Sequence, residues 1–298
     1  MRTAYALMIS IMFFTAGNSF SQEYVDLVKM EQNGWETPSF VREAIATPPY
    51  SESQLDILLP FPLSKKLALL TGINASTMHF QETTSGQNHR FHAVFLKAGI
   101  NVRHSDRWSA SYLILPRLSS EQLNGNNSGQ LGGFALFKYN KSQQTKLKLG
   151  AYVNGEFFGP LIVPILGLYH KSTRWEVNLN LPINGELAYQ FGQSKIRMGA
   201  RFEGINRSYR MPSAGNAYLE KTNNEASAFI EKSIGRIVCQ LHAGHSFWRS
   251  FTGFTDGEQS KLTFPLYRVD DDRVQLFQEA NDAPFVKLSL IYRLPIKP

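Results

Sequence analysis

Histidine beside serine is where a hydrolytic centre would show itself. His242, His245 and Ser246 fall within one short stretch. In an extended strand successive side chains point to opposite faces, so His245 and Ser246 cannot pair directly. His242 and Ser246 share a face but stand about 13 Å apart at ~3.3 Å per residue. The stretch therefore holds no nucleophile–base pair, and no catalytic residue is expected. His79, His89, His92 and His104 raise the question of a metal. His89 and His92 differ by an odd number and face apart on one strand. No zinc-protease motif, phosphate-binding loop or dinucleotide fingerprint occurs, so neither a metal nor a cofactor is expected. The segment from Thr252 to Ala283 is acidic, with Asp256, Glu258, Asp270, Asp271, Asp272, Glu279 and Asp282 against Lys261, Arg268 and Arg273. It lacks calcium-loop spacing and reads as a solvated loop.

The more suggestive charges sit inside strand-like stretches. Arg197, Arg201 and Glu203 share one face of Lys195 to Asn206, with Ile196, Met198, Ala200 and Phe202 on the other. Lys146 and Lys148 oppose Leu147, Leu149, Ala151 and Val153. Glu176 opposes Trp175, Val177 and Leu179. Lys287 and Arg293 alternate with Val286, Leu288, Leu290 and Tyr292. With His242 these nine residues form one candidate functional surface: Lys146, Lys148, Glu176, Arg197, Arg201, Glu203, His242, Lys287 and Arg293. Buried in a wet interior they could steer anions or latch a passage shut.

The elements that must carry them are strands, because the period-2 pattern recurs along the chain. Strands are predicted near 23–31, 53–60, 66–77, 90–103, 108–115, 130–139, 145–154, 161–170, 174–181, 186–191, 195–206, 218–231, 236–248 and 284–294. The first is the weakest, since Tyr24 to Glu31 alternates poorly; Thr37-Pro38 could instead begin a short helix. Counted back from the last strand, the connections alternate between short and long. Only Pro182–Gly185 is short where a long one is due. Short turns at one rim and longer loops at the other are expected of membrane barrels. Aromatic residues near strand ends, Trp108, Tyr139, Tyr169, Trp175, Trp248 and Tyr292, form a candidate interface belt.

The N-terminus sets the compartment. Arg2, the apolar run Ala4 to Ala16, and small residues at Ser19 and Ser21 predict a secretory signal over 1–21, cleaved before Gln22. The remainder, 22–298, reads as one domain, with 22–52 as a less regular N-terminal segment. The mature chain has no apolar run long enough for a spanning helix. Its single cysteine, Cys239, rules out a disulfide framework. The formal charge of +7 is scattered rather than clustered, which speaks against a nucleic-acid partner.

One region carries a family likeness. Pro164-Ile165-Leu166-Gly167-Leu168-Tyr169, Trp175-Glu176-Val177-Asn178-Leu179-Asn180-Leu181-Pro182 and Leu187-Ala188-Tyr189 resemble a family of outer-membrane β-barrels known only as a domain of unknown function. The resemblance implies fold and location, and no activity.

These readings converge on an all-β chain forming a closed antiparallel up-and-down transmembrane β-barrel of about 12–14 strands in the cell outer membrane. Its expected surroundings are outer-membrane lipids and lipopolysaccharide, with barrel-assembly machinery as a partner during biogenesis; the oligomeric state is left open. The expected role is that of a passive channel, a transporter or a structural component. A secreted soluble β-protein is the alternative. An outer-membrane lipid hydrolase is a remoter one, because such enzymes place histidine and serine two residues apart before an asparagine, a spacing this chain lacks.

Overall fold

A computed structural model describes residues 24–34, 50–82, 86–123, 127–192, 194–215, 217–280 and 282–295. The signal segment and the Thr37–Ile45 region lie outside the described residues. The strands are β1 (Tyr24–Asn33), β2 (Tyr50–Pro62), β3 (Leu67–Gln81), β4 (Asn88–Arg103), β5 (Trp108–Ser120), β6 (Gly129–Asn140), β7 (Thr145–Glu156), β8 (Gly159–Lys171), β9 (Trp175–Leu181), β10 (Asn184–Gln190), β11 (Ile196–Met211), β12 (Ala217–Ile234) and β13 (Ile237–Thr255). They are followed by β14 (Leu262–Phe264), β15 (Tyr267–Val269), β16 (Gln275–Ala280) and β17 (Pro284–Pro295).

β1 to β13 and β17 form a closed 14-strand antiparallel up-and-down barrel. Each pairs with its neighbour in sequence, and β17 closes the ring by pairing with both β13 and β1. The last strand meets the first from Tyr24↔Pro295 to Asn33↔Lys287. All fourteen predicted strands are present. Closure follows from the chemistry of an edge, whose unpaired N–H and C=O groups need partners. The poor alternation of the first strand has a local cause. A register shift between Asp26 and Val28 changes the phase. Tyr24 and Asp26, then Lys29, Glu31 and Asn33, consequently contact interior partners. Within 22–52, β1 and the start of β2 are wall strands, β1 carrying this irregularity.

The two rims differ. The rim holding Tyr24 and Pro295, here the proximal rim, has short turns such as 104–107, 141–144 and 235–236. The distal loops are shorter than the sequence predicts because the strands run further. β12 has 18 residues and β13 has 19, about 60 Å of strand at ~3.3 Å per residue. β9 and β10 have only 7 each, joined by the two-residue turn that broke the loop pattern. The wall is therefore notched. Past the notch β8 keeps β7 and β11 keeps β12, but each loses its wall neighbour on the notch side and finds another. β8 takes β14 as a short parallel partner, Thr263↔Leu161. Gly159 permits this approach: its φ is +112, and a Cβ there would lie 2.3 Å from the Ser260 carbonyl oxygen. β11 crosses the mouth to β5, pairing Arg210 with Ser120, and the Glu121 N–H donates to the Arg210 carbonyl at 3.1 Å.

The crossing strand fills the distal interior. Met78, Phe80, Phe91, Phe95, Tyr209, Met211, Leu219 and Phe251 form one apolar cluster. Phe157, Phe158, Leu161, Val163, Tyr218 and Phe254 form a second. Outside, the alternate phase is apolar, with Leu147, Leu149 and Val153 on β7, Leu166 on β8, and Val286, Leu288 and Leu290 on β17 all exposed. Among the described residues, charge on the outward phase is confined to the ends of strands: Arg90, Lys232, Arg210, which pairs with Asp256, and Glu220, which loop arginines cover.

Candidate functional site

The interior wall is a lattice of ion pairs, arranged in tiers. Near the proximal rim the Tyr24 hydroxyl donates to Glu176 at 2.9 Å. Arg197 reaches Glu186 at 3.1 Å, Glu231 at 3.4 Å and Glu176 at 3.8 Å. Arg293 binds Asp26 at 2.6 Å and Glu231 at 3.0 Å. In the next tier Arg201 contacts Glu203 at 3.1 Å and Glu31 at 3.5 Å. Lys287 lies 2.6 Å from Glu225 and 3.5 Å from Glu203. Further in, fully buried Lys221 binds Glu52 at 2.7 Å and the Tyr50 hydroxyl at 3.0 Å. Such pairing is what lets charge persist inside a protein.

A fourth constellation fastens the mouth. Arg117 and Glu156 form a two-pronged pair at 3.1 and 2.8 Å, with both side chains at 0% exposure. Ser208 of the crossing strand docks on them. Its N–H donates to Glu156 at 2.8 Å and its hydroxyl to the same carboxylate at 2.6 Å. Its carbonyl accepts from Arg117 at 2.9 Å and from the Ser119 hydroxyl at 2.7 Å. β5 and β7 side chains thereby satisfy the backbone edge of β11 that has lost its wall neighbour, as a buried peptide group requires.

The structure places Lys146, Lys148, Glu176, Arg197, Arg201, Glu203, His242, Lys287 and Arg293 on the interior face. It joins Glu176 with Arg197, and Arg201, Glu203 and Lys287 with one another. Lys146 and Lys148 stand on the far side, on β7. His242 does not meet Ser246. It packs at a tilt on Phe229, ring centroids 5.3 Å apart, with Gln240 Oε1 3.3 Å from its Nε2. The Ser246 hydroxyl instead donates to and accepts from the Ala283 backbone, both at 3.0 Å. His89 lies inside beside Glu82 and Glu121, whereas His92 bonds Thr77 on the outer face. Among the described residues no group of three or more His, Cys, Asp or Glu is arranged to hold a metal.

Of the aromatic belt residues, Trp108 and Tyr139 pair on the outside at 4.9 Å, and Trp175 packs on Tyr189 at 4.9 Å. Tyr292 accepts a bond from Arg236 at 3.3 Å, and Trp248 is exposed. Tyr169 is the correction. It is 2% exposed and donates to Glu176 at 3.3 Å, so it belongs to the interior and not to the belt. Its odd number puts it in phase with buried Leu161, Val163 and Ile165, which the sequence shows but which its position near a strand end obscured.

The sequence reading also missed Asp26, Glu31, Glu52, Lys221, Glu225, Glu231, Arg117 and Glu156. Arg117 and Glu156 lie two residues beyond predicted strand ends; carrying the phase of β5 and β7 onward would have turned both inward. The others pair between strands far apart in sequence, for which local pattern gives no signal.

The distal acidic loop is matched to arginines. Asp271 accepts from Arg273 at 2.6 Å and from Arg268 at 3.2 Å. Arg268 also pairs with Glu220, and Arg273 reaches Glu220 at 3.0 Å. The Arg273 hydrogen bond is the chief reason the Asp271 carboxyl is held down to about 2. A carboxyl depressed in the folded state stabilises it above the unfolded value of ~3.9 and ceases to as pH falls through the folded one. The loop should therefore resist pepsin cleavage within 256–283 at pH 4 and become cleavable as pH falls toward 2. Cleavage equally fast at both values would show that Asp271 does not hold it.

Chemically, this interior can screen, orient or retain a charged solute. A cleft of about 560 Å³ opens at the proximal rim, lined by Tyr24, Lys171, Glu176, Arg197, Glu231 and Arg293 among others.

Known structures share the barrel outline at low similarity. The NanC porin is 7% identical, covering 90% of this chain and 100% of its own, with a TM-score of 0.37. LpxR from Salmonella typhimurium is 5% identical over 89% of this chain and 99% of that one, at 0.36. The Pseudomonas putida toluene transporter TodX is 11% identical over 89% and 88%, at 0.36. No curated protein matches the sequence. A family profile matches residues 64–264, from the β2–β3 turn to β14, and the chain therefore belongs to the family described as Domain of unknown function (DUF6268).

Proposed function

We propose that the chain is an integral outer-membrane β-barrel protein, seated with its proximal rim in the periplasm, that transfers small solutes passively and rests with its outer mouth shut. The carrying observation is the outer wall. A closed sheet whose outward phase is leucine, valine and isoleucine, with charge only near strand ends, suits hydrocarbon. In water the same wall would be an apolar patch far larger than soluble monomers expose, which weighs against a secreted soluble β-protein. Trp108, Tyr139, Trp175, Tyr189 and Tyr292 sit where an aromatic girdle would meet the inner interface. Outer-membrane lipids and lipopolysaccharide are then its surroundings, and assembly machinery must insert it. We assign it no catalytic role, since the hydroxyl of Ser246 and the ring of His242 are committed elsewhere.

The filled mouth favours a second reading, a purely structural barrel. Full-length protein in lipid vesicles separates the two. Slow release of a trapped small solute, without the stepwise currents of an open pore, supports transport; complete retention supports the structural role. A compact form that migrates faster on gels before heating supports insertion as a barrel. Recovery in the soluble periplasm without detergent overturns the membrane reading.

A further inference from the structure

The inner wall is electrically lopsided. On β1, β2 and β10 to β13 with β17, cations and carboxylates interlock. On β6 and β7, near the proximal rim, two lysines, Lys138 and Lys148, take inward positions. Lys138 and Lys148 are direct cross-strand partners. Like charges in that relation are destabilising. The flanking inward positions in the same row are Ser109, opposite Lys138, and Gly167, opposite Lys148, and neither carries charge to offset them. Lys148 donates only to neutral oxygens, Asn178 Oδ1 at 2.6 Å, Asn180 Oδ1 at 2.9 Å and the Leu179 carbonyl at 3.5 Å. Among the described residues, the charged groups acting on it are Lys138 and Lys146, both cations. The neighbouring Lys97, by contrast, is paired with Asp56 at 2.6 Å.

Most interior cations of this barrel stand against a carboxylate or an aromatic ring, whereas these two stand against each other. We infer that Lys138 and Lys148 form a binding site for a small, multiply charged oxyanion, a polycarboxylate or phosphate-bearing solute, entered from the proximal mouth. A low-dielectric wall lined with one sign of charge concentrates counter-ions at its surface. Ammonium groups donate strong charge-assisted hydrogen bonds to such oxygens. This inference rests on the transport reading above and names its substrate class.

The test compares full-length protein with Lys138→Met/Lys148→Met, both in neutral detergent at low salt, titrated calorimetrically with citrate and with inorganic phosphate. The parent protein should bind citrate saturably, and glycerol not at all. The double variant should lose at least about tenfold in citrate affinity, about 1.4 kcal/mol. Because it removes a like-charge contact, it should also unfold at the same or a higher temperature. Lys138→Arg/Lys148→Arg should restore binding. Failure of the parent to bind either anion, or equal binding by the methionine variant, overturns the site. The heat-shifted gel band, read on the same samples, separates causes. A retained shift without binding removes only the anion site, whereas loss of the shift removes the barrel reading as well.

Discussion

Replacing Glu156 by alanine will open the mouth and cost about 3–5 kcal/mol of stability, the usual penalty for stranding one partner of a buried ion pair. Glu156 is the hub of the distal closure. It takes two bonds from Arg117, two from Ser208, one from Asn154 at 2.7 Å and one from Gln130 at 3.4 Å. Without it the Arg117 guanidinium stays in a dry site with no counter-charge, and the Ser208 N–H loses its acceptor. The crossing part of β11 has no wall neighbour of its own on that side, so its hold on β5 and β7 is what keeps it inside. Two readouts follow. The temperature at which the compact gel form converts to the extended form should fall clearly below the parent's. Planar bilayers, silent with the parent, should show current steps. Substituting both partners, Arg117→Met with Glu156→Met, should recover most of the lost stability, since an apolar pair of similar volume often replaces a buried ion pair at little cost. An alanine variant that melts like the parent and stays silent would remove the latch from the account.

Arginine at Leu166 should be nearly as damaging, and for a reason that depends on lipid. Leu166 is 66% exposed in the middle of β8. Its cross-strand partners are Leu149 on β7 and Leu181 on β9, both also exposed. In a bilayer this three-strand patch faces hydrocarbon near midplane, where arginine costs about 2–4 kcal/mol. That is enough to lower the ratio of assembled to unassembled barrel by about thirtyfold or more. In water the same substitution on an exposed strand position would change stability by no more than about 0.5 kcal/mol. Leu266→Arg is the matched control. Leu266 is 92% exposed in the β14–β15 turn, away from the wall, and should fold into vesicles as the parent does. Equal folding yields for the two variants would contradict a membrane-embedded wall.

The sequence carried the wall because a strand's inside and outside are written in alternate residues. Fourteen segments, their order, and the short-turn rim could be read from period and spacing, as could the inward set from Lys146 to Arg293. Even the anomalous turn at Pro182–Ile183 was visible as an exception, though not its consequence. What failed did so where phase breaks or strands outrun their pattern. The bulge after Asp26 masked β1, Tyr169 was judged by its place near a strand end instead of its parity, and Arg117 and Glu156 lay just past the predicted ends. The partners of each charge, the inward turn of β11 above β9 and β10, and the apolar filling beneath it belong to tertiary structure alone. Alternation fixes which face a side chain takes; only closure of the ring, with its register and bends, decides which residue stands across from it.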